Sequence, residues 1–200
     1  MKQLGLFEEQ GDIASTPRIS GIVYISDFID ENTEAELIKT IDEQPWKHDL
    51  KRQVQHYGYA YDYKARGVTV DSKLGDIPQW LQVYCEKLKD YRFFEQTPDQ
   101  VIVNEYQIGQ GISAHIDCIP CFGKTIAIIS LGSPCIMDFT NSKTGGKVPV
   151  LLEQRSLATL SGDARYIWQH AIAQRKTDKY NSEIIQRKRR VSLTFRNVII

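Results

Sequence analysis

Two hundred residues, 42% of them apolar and 25% charged, suffice for one domain with a core of its own and exclude a miniprotein held by disulfide staples. Twenty-five Lys and Arg against twenty-five Asp and Glu give zero formal charge, which excludes a surface basic throughout that would grip nucleic acid everywhere. The balance is uneven, with three basic and ten acidic side chains over 1–44, thirteen of each over 45–164, and nine basic against two acidic over 165–196. The N-terminus lacks a basic segment followed by an apolar run, and the longest apolar stretches are strand-sized, so a soluble, intracellular, cytoplasmic chain without membrane contact is expected. Nothing suggests secretion and the size does not require disulfides, so the cysteines at 85, 118, 121 and 135 are expected as free thiols.

Residues 1–17 show little periodicity and read as a flexible arm ahead of a single domain over 18–200. Within it, 18–98 read as an N-terminal extension and 99–200 as a β-rich core. After a short strand at 21–25, a helix is expected from Thr33 to about Gln44. It opens on a capping box, Thr33 to Glu36, and places Leu37, Ile38 and Ile41 on one face. From Arg52 to Tyr63 large aromatics alternate with small or polar residues around Gly58, which predicts an aromatic hairpin. Pro78 suits the first turn of a second helix with Leu81, Tyr84, Cys85 and Leu88 on a shared face. From Asp99 onward short β-branched segments at 101–106, 125–131, 135–139, 148–152, 157–160, 164–170 and 190–196 alternate with turn residues, the texture of a β-sandwich or jelly roll.

Two of the four histidines stand where a metal would use them. His115 and Asp117 are two residues apart, so on a strand they project from one face, and His170 follows at the end of the segment predicted over 164–170. Brought together, they form the two-histidine, one-carboxylate set that leaves open positions on non-haem Fe(II). A chance His-x-Asp pair and a hydrogen-bonded core histidine are the competing reading. Over 190–196, even spacing places Arg190, Ser192, Thr194 and Arg196 on one face and Val191, Leu193 and Phe195 on the other. A buried arginine pair without nearby acids calls for anions, and a dicarboxylate such as 2-oxoglutarate supplies one at each end. A solvated edge strand is the alternative. Cys118-x-x-Cys121 invites a zinc or redox role, but zinc needs four ligands and a redox pair usually opens a helix, whereas Pro120 and Gly123 mark a loop. Two thiols beside an iron oxidant are nevertheless open to oxidation. Arg187, Lys188 and Arg189 read as a solvated turn.

The ordered string Asn104-Glu105-Tyr106, Gly109, His115-x-Asp117, His170 and Arg190-x-Ser192-x-Thr194-Phe195-Arg196 resembles the AlkB family of Fe(II)- and 2-oxoglutarate-dependent dioxygenases, strongly over about 99–197 and more loosely over 20–98. The resemblance implies a mainly β fold with some α, a double-stranded β-helix behind an N-terminal helical and hairpin extension. It implies His115, Asp117 and His170 as iron ligands, with O2 and 2-oxoglutarate taking the remaining positions. Arg190 would bind the distal carboxylate of 2-oxoglutarate, Arg196 the carboxylate end near the metal, and Asn104 and Tyr106 would add hydrogen bonds. Ser192 stands where several relatives carry Asn. The segments around Arg52, Gly109 to Ile112 and Arg155 to Trp168 are similar to the branch containing the tRNA wobble-uridine hydroxylase. Ile119, two positions after Asp117, replaces an acidic residue that many repair members carry.

The implied activity is oxidation of an alkylated or modified base in DNA or RNA, by a monomer, with either dealkylation or a retained hydroxyl. Arg52, Tyr57 and Tyr59 are expected to rim the base, and Tyr61 and Tyr63 to be packing residues. The alternatives are a protein or small-molecule hydroxylase with the same iron chemistry, and a non-catalytic jelly-roll binding module.

Overall fold

The computed structural model describes residues 19–48 and 50–200, and the expected arm at 1–17 lies outside them. Strand β1 (Ile22–Ile25) leads to helix α1 (Glu31–Asp42), whose N-cap is Asp30 rather than Thr33. The Asp30 carboxylate accepts the Thr33 amide at 2.7 Å, so a free first-turn donor is met one turn earlier than the expected capping box. Strand β2 (Gln53–Tyr57) follows, then helix α2 (Gln79–Asp90), which Pro78 introduces as expected and which buries Leu81, Cys85 and Leu88.

The predicted aromatic hairpin is half right. Only β2 joins a sheet. Gly58 has φ +75°, and a Cβ there would lie 1.8 Å from the Asp99 carbonyl oxygen, so the chain turns sharply out of the sheet at a position only glycine fits. Residues 59–73 then form a loop tied by bridges between Tyr59 and Lys73 and between Asp62 and Gly67.

The remaining elements are β3 (Gln100–Tyr106), β4 (Ile112–His115), β5 (Ile126–Gly132), β6 (Cys135–Asn141), β7 (Lys147–Leu152), β8 (Leu157–Leu160), α3 (Gly162–Tyr166), β9 (Trp168–Ile172), β10 (Thr177–Tyr180), β11 (Glu183–Gln186) and β12 (Arg190–Arg196). They build a six-stranded sheet, β1-β8-β5-β12-β3-β2, and a four-stranded sheet, β4-β9-β6-β7, with β10 and β11 as a separate hairpin. All strand pairs are antiparallel. This is the expected jelly roll. The strand predicted over 164–170 is corrected: α3 takes its first part, and β9 starts at Trp168.

β12 lies between β3 and β5 and divides the molecule's chemistry by residue parity. Val191, Leu193 and Phe195 join Leu37, Ile41, Leu81 and Leu88 in a core that covers the outer face of the large sheet. Arg190, Ser192, Thr194 and Arg196 face the other way, into a cleft between the two sheets. A second core, with Ile126 and Ile128 from the large sheet and Met137, Phe139 and Ile172 from the small one, holds the sheets together.

The basic run before β12 is not a solvated turn. Arg187 is buried and donates to Asp178 from Nε at 2.5 Å and Nη2 at 2.8 Å. Arg189 pairs with Glu105 at 2.6 Å and with Asp42. Asp178 also accepts Arg175 Nε at 2.6 Å and the Ile136 amide at 3.1 Å, which fastens the β10–β11 hairpin to the small sheet. Asp178→Asn strands the buried Arg187 charge and is expected to cost about 3–5 kcal/mol in chemical denaturation. Burial pushes the Asp178 carboxyl up, but Arg187, the Ile136 amide and Arg175 outweigh it and hold it below its usual value. Its contribution is therefore complete above the unfolded carboxylate range near pH ~4 and is lost as pH falls through the lowered folded value.

Candidate active site

The antiparallel register of β4 on β9 sets His115 opposite His170, and their ring centroids lie 4.3 Å apart. Asp117 follows just beyond the end of β4. One ligand atom from each of His115, Asp117 and His170 falls within 4.8 Å of the others, a donor set of two imidazoles and one carboxylate suited to a single divalent ion. His115 Nδ1 sits 2.8 Å from the Ser113 carbonyl oxygen; a proton held there leaves Nε2 as the lone-pair nitrogen toward Asp117.

Asp117 is buried, and burial alone would raise its carboxyl. The Arg196 guanidinium, followed by the neighbouring His115 and His170, holds it well below the usual carboxylate range. Burial, helped by His115, pushes His170 down to about 4 against the pull of Asp117. At neutral pH the trio is thus an ionised carboxylate with an unprotonated buried imidazole, the forms a metal requires.

The expectation that both arginines of β12 lack acidic partners holds for Arg190 and fails for Arg196. Arg196 Nε donates to Asp117 Oδ2 at 2.9 Å and Nη1 to Gln100 Oε1 at 3.3 Å, so it already positions the carboxylate. Arg190 is buried beside Tyr106 and Ser192 and donates from Nη2 to Ser130 Oγ at 3.0 Å. Its Nε and Nη1 are buried without a hydrogen-bond partner. A buried guanidinium with two unmet donors fits one carboxylate of a dicarboxylic acid, which would satisfy both. Asn104, opposite Ser192 in the register, lines the same cleft and accepts Arg52 Nε at 3.0 Å.

The cleft has a volume of about 860 Å³ and opens past Leu50, Lys51, Arg52, Tyr61, Tyr63 and Arg66. Arg52 is at the rim as expected, over the Tyr63 ring at 5.6 Å. Tyr57 and Tyr59 are not, and that expectation is corrected. Tyr57 packs edge-on against Trp80 at 5.4 Å, donates to Gln55 Oε1 at 2.9 Å, and belongs to the core behind the sheet. Tyr59 does not line the cleft; its carbonyl receives Gln100 Nε2 at 3.1 Å. Their place is taken by Tyr61 and Tyr63, whose rings meet edge-on at 5.1 Å, with Tyr61 also 5.8 Å from Phe122. The turn at Gly58 is what reverses the aromatic parity.

Arg165 was missed as a site residue. It is only 2% exposed, and its guanidinium donates to the carbonyl oxygens of Asp117, Cys118, Phe122 and Gly123 at 2.9, 3.1, 3.2 and 3.3 Å. Reading 164–170 as a strand hides it, because 162–166 form a helix instead. The expectation of four free thiols also fails, because Cys118 and Cys121 are joined in a disulfide across a Cα–Cα distance of 5.3 Å. The turn at 119–121 brings the two sulfurs together. Cys85 and Cys135 are free and buried.

Residues 21–196 match the family model for the 2OG-Fe(II) oxygenase superfamily. The chain is 35% identical over 209 residues to the Arabidopsis thaliana "Alkylated DNA repair protein ALKBH8 homolog", covering 93% of this chain and 60% of that relative. It is 37% identical over 163 residues to the Xenopus tropicalis "tRNA (carboxymethyluridine(34)-5-O)-methyltransferase alkbh8", covering 79% of this chain and 26% of that relative. The chain therefore spans less than two thirds of either protein, and about a quarter of the Xenopus one. The solved structure of OsALKBH1 shares the fold at a TM-score of 0.64 and 18% identity, covering 88% of this chain and 96% of that one. With the histidine–aspartate–histidine set and the unmet Arg190 donors in one cleft, the chain belongs to the 2OG-Fe(II) oxygenase superfamily and, within it, to the AlkB family, a dioxygenase domain whose cofactors are Fe(II), 2-oxoglutarate and O2.

Proposed function

We propose that this domain oxidises a modified or alkylated base presented by a nucleic acid, with tRNA the first substrate to test. The observation that carries the reading is the rim. Two adjacent tyrosines, Tyr61 and Tyr63, and three cationic side chains, Lys51, Arg52 and Arg66, stand at the mouth of a cleft that contains the metal donor set. Aromatic faces stack on an extruded base, and cations neutralise the flanking phosphates. The two relatives named above carry DNA repair and tRNA modification in their names, which supports the same reading.

In this proposal His115, Asp117 and His170 hold the iron, and Arg190 takes the distal carboxylate of 2-oxoglutarate. Asn104, Tyr106 and Ser192 line its path, while Arg196 keeps Asp117 ionised and oriented toward the metal. When bound together, the cofactors supply an oxidation in which 2-oxoglutarate and O2 become succinate and CO2 while a substrate C–H bond gains oxygen. The chain's own work is to orient and to desolvate. Burial raises the Tyr61 and Tyr63 hydroxyls above their ordinary value, so both rings stay neutral at physiological pH and stack as uncharged aromatics.

The test measures succinate release and the mass of recovered nucleosides after incubation with Fe(II), 2-oxoglutarate and either total tRNA or alkylated DNA. Tyr63→Ala is expected to raise the KM for the nucleic acid about tenfold, from base stacking worth ~1–3 kcal/mol, with the 2-oxoglutarate KM held within about twofold. Nucleosides unchanged in mass with both substrates would sink the proposal.

A further inference from the structure

We propose that Cys118 and Cys121 are a reversible dithiol/disulfide site through which ambient redox state sets how firmly the substrate rim is held. The pair directly follows the iron-ligand Asp117, and its sulfurs lie 3.5 and 3.9 Å from the carbonyl oxygen of Arg66. Arg66 belongs to the loop that carries Tyr61 and Tyr63 to the rim. In the dithiol state each sulfur carries a proton that can be donated to this carbonyl. In the disulfide state neither does. Arg66 itself has φ +56°, in the left-handed region that a side chain resists, so its carbonyl keeps its direction at a cost that a donor helps to offset.

The backbone between the cysteines does not depend on the sulfur–sulfur bond. Arg165 grips the carbonyls of Asp117 and Cys118 on one side of the turn and of Phe122 and Gly123 on the other. The thiols therefore remain within bonding reach when reduced. This clamp supplies the preorganisation that a redox pair more often takes from a helix start. Cys118 is half-buried beside the cleft, open to an attacking or attacked sulfur. Cys85 and Cys135 are buried, and burial pushes both thiols up, Cys85 to about 12.

The chemistry is thiol–disulfide exchange with a small-molecule disulfide of the glutathione class. The Cys118 thiolate attacks one sulfur of the oxidised reagent and expels the first glutathione as a thiolate. The Cys121 thiolate then attacks the Cys118 sulfur and expels the second. One dithiol and one oxidised glutathione become one protein disulfide and two reduced glutathiones, and the reverse sequence restores the donors. Formation of the bond stands on its own; its effect on substrate rests on the base-oxidation reading above.

The experiment equilibrates the full chain, free of oxygen, in glutathione buffers from fully reduced to fully oxidised and traps accessible thiols by native alkylation with mass spectrometry. The expected result is that Cys118 passes from labelled to unlabelled as 118 and 121 become linked to each other in the unreduced digest, while the buried 85 and 135 stay unlabelled and unlinked throughout. Oxidation is expected to speed amide hydrogen exchange over 61–67, and to raise the nucleic-acid KM, by about threefold to tenfold, the worth of a lost hydrogen bond or two. The 2-oxoglutarate KM is expected not to move. Cys118→Ser keeps a donor and cannot bond, so it should hold the reduced-state exchange rate in every buffer. The Cys118→Ala, Cys121→Ala double variant has neither donor and should hold the oxidised-state rate. Thiols that stay labelled across the whole series would overturn the site. Pairing without any change in exchange over 61–67 would overturn its link to the rim. Exchange that responds while nucleic acid is not turned over would overturn only the substrate reading.

Discussion

Asp117→Ala is expected to remove iron and turnover together, each by more than a hundredfold. The carboxylate is one of three donors, and it is buried, ionised and held by Arg196 at 2.9 Å. Loss of an outer partner typically costs a metal site ~10–100-fold, and loss of the ligand itself exceeds that. Arg196→Gln provides the comparison, since it leaves the three donors in place and should fall inside the 10–100-fold range. Asp117→Ala carries a second effect. It leaves the Arg196 charge buried with only Gln100 as an acceptor, so the metal-free protein should lose about 3 kcal/mol, visible in chemical denaturation. Iron bound at equilibrium, measured by titration and metal analysis, checks the first effect. An Asp117→Ala protein that retains iron at the wild-type ratio would defeat the assignment of the donor set.

The parts of the site that were legible in the sequence are those set by a short-range period. Strand parity over 190–196 sorted Arg190, Ser192, Thr194 and Arg196 from Val191, Leu193 and Phe195, and the structure keeps that division. His115 and Asp117 reach one cleft although the strand ends at His115, because Arg196 holds the Asp117 carboxylate and Arg165 its carbonyl. Parity failed where one residue reset it. Gly58 turns the chain out of the sheet, so Tyr57 packs against Trp80 while Tyr61 and Tyr63 occupy the rim. Ion pairing was not legible either, because its partners are remote in sequence. Arg189 meets Glu105 and Asp42, and Arg196 meets Asp117, each across a separation that no local pattern reports.

These pairings also explain what the C-terminal excess of positive charge is for. Arg187, Arg189 and Arg196 each have a carboxylate partner, and Arg165 is spent on backbone carbonyls. Lys176, Lys179 and Lys188 stay exposed away from the cleft, and the cations on the loops around its mouth are Lys51, Arg52 and Arg66. In the proposed reading, the cations that would meet a polyanion are those at this one edge of a molecule whose formal charge is zero.

Arg190 is the exception among Arg187, Arg189, Arg190 and Arg196, having no carboxylate partner, and its substitution should behave unlike the others. Arg190→Ala is expected to raise the 2-oxoglutarate KM about a hundredfold, as hydrogen bonds to a charged group contribute ~1.5–3 kcal/mol each. Arg190→Lys keeps the charge but loses the planar fork and should fall between wild type and Arg190→Ala, while Lys188→Ala, two residues earlier in the chain and outside the cleft, should stay within twofold. Stability supplies an independent readout. Nε and Nη1 of Arg190 are already buried without partners, so removing the side chain relieves a desolvated charge and should leave the cosubstrate-free protein no less stable. The wild-type protein should gain about 2.7 kcal/mol at a 2-oxoglutarate concentration a hundred times its Kd, and Arg190→Ala should gain almost nothing at that same concentration. Thermal unfolding across a 2-oxoglutarate series separates the cases. Equal, small shifts in Arg190→Ala and Lys188→Ala would show that the buried fork does not hold the dicarboxylate, and the unmet donors would then need another anion.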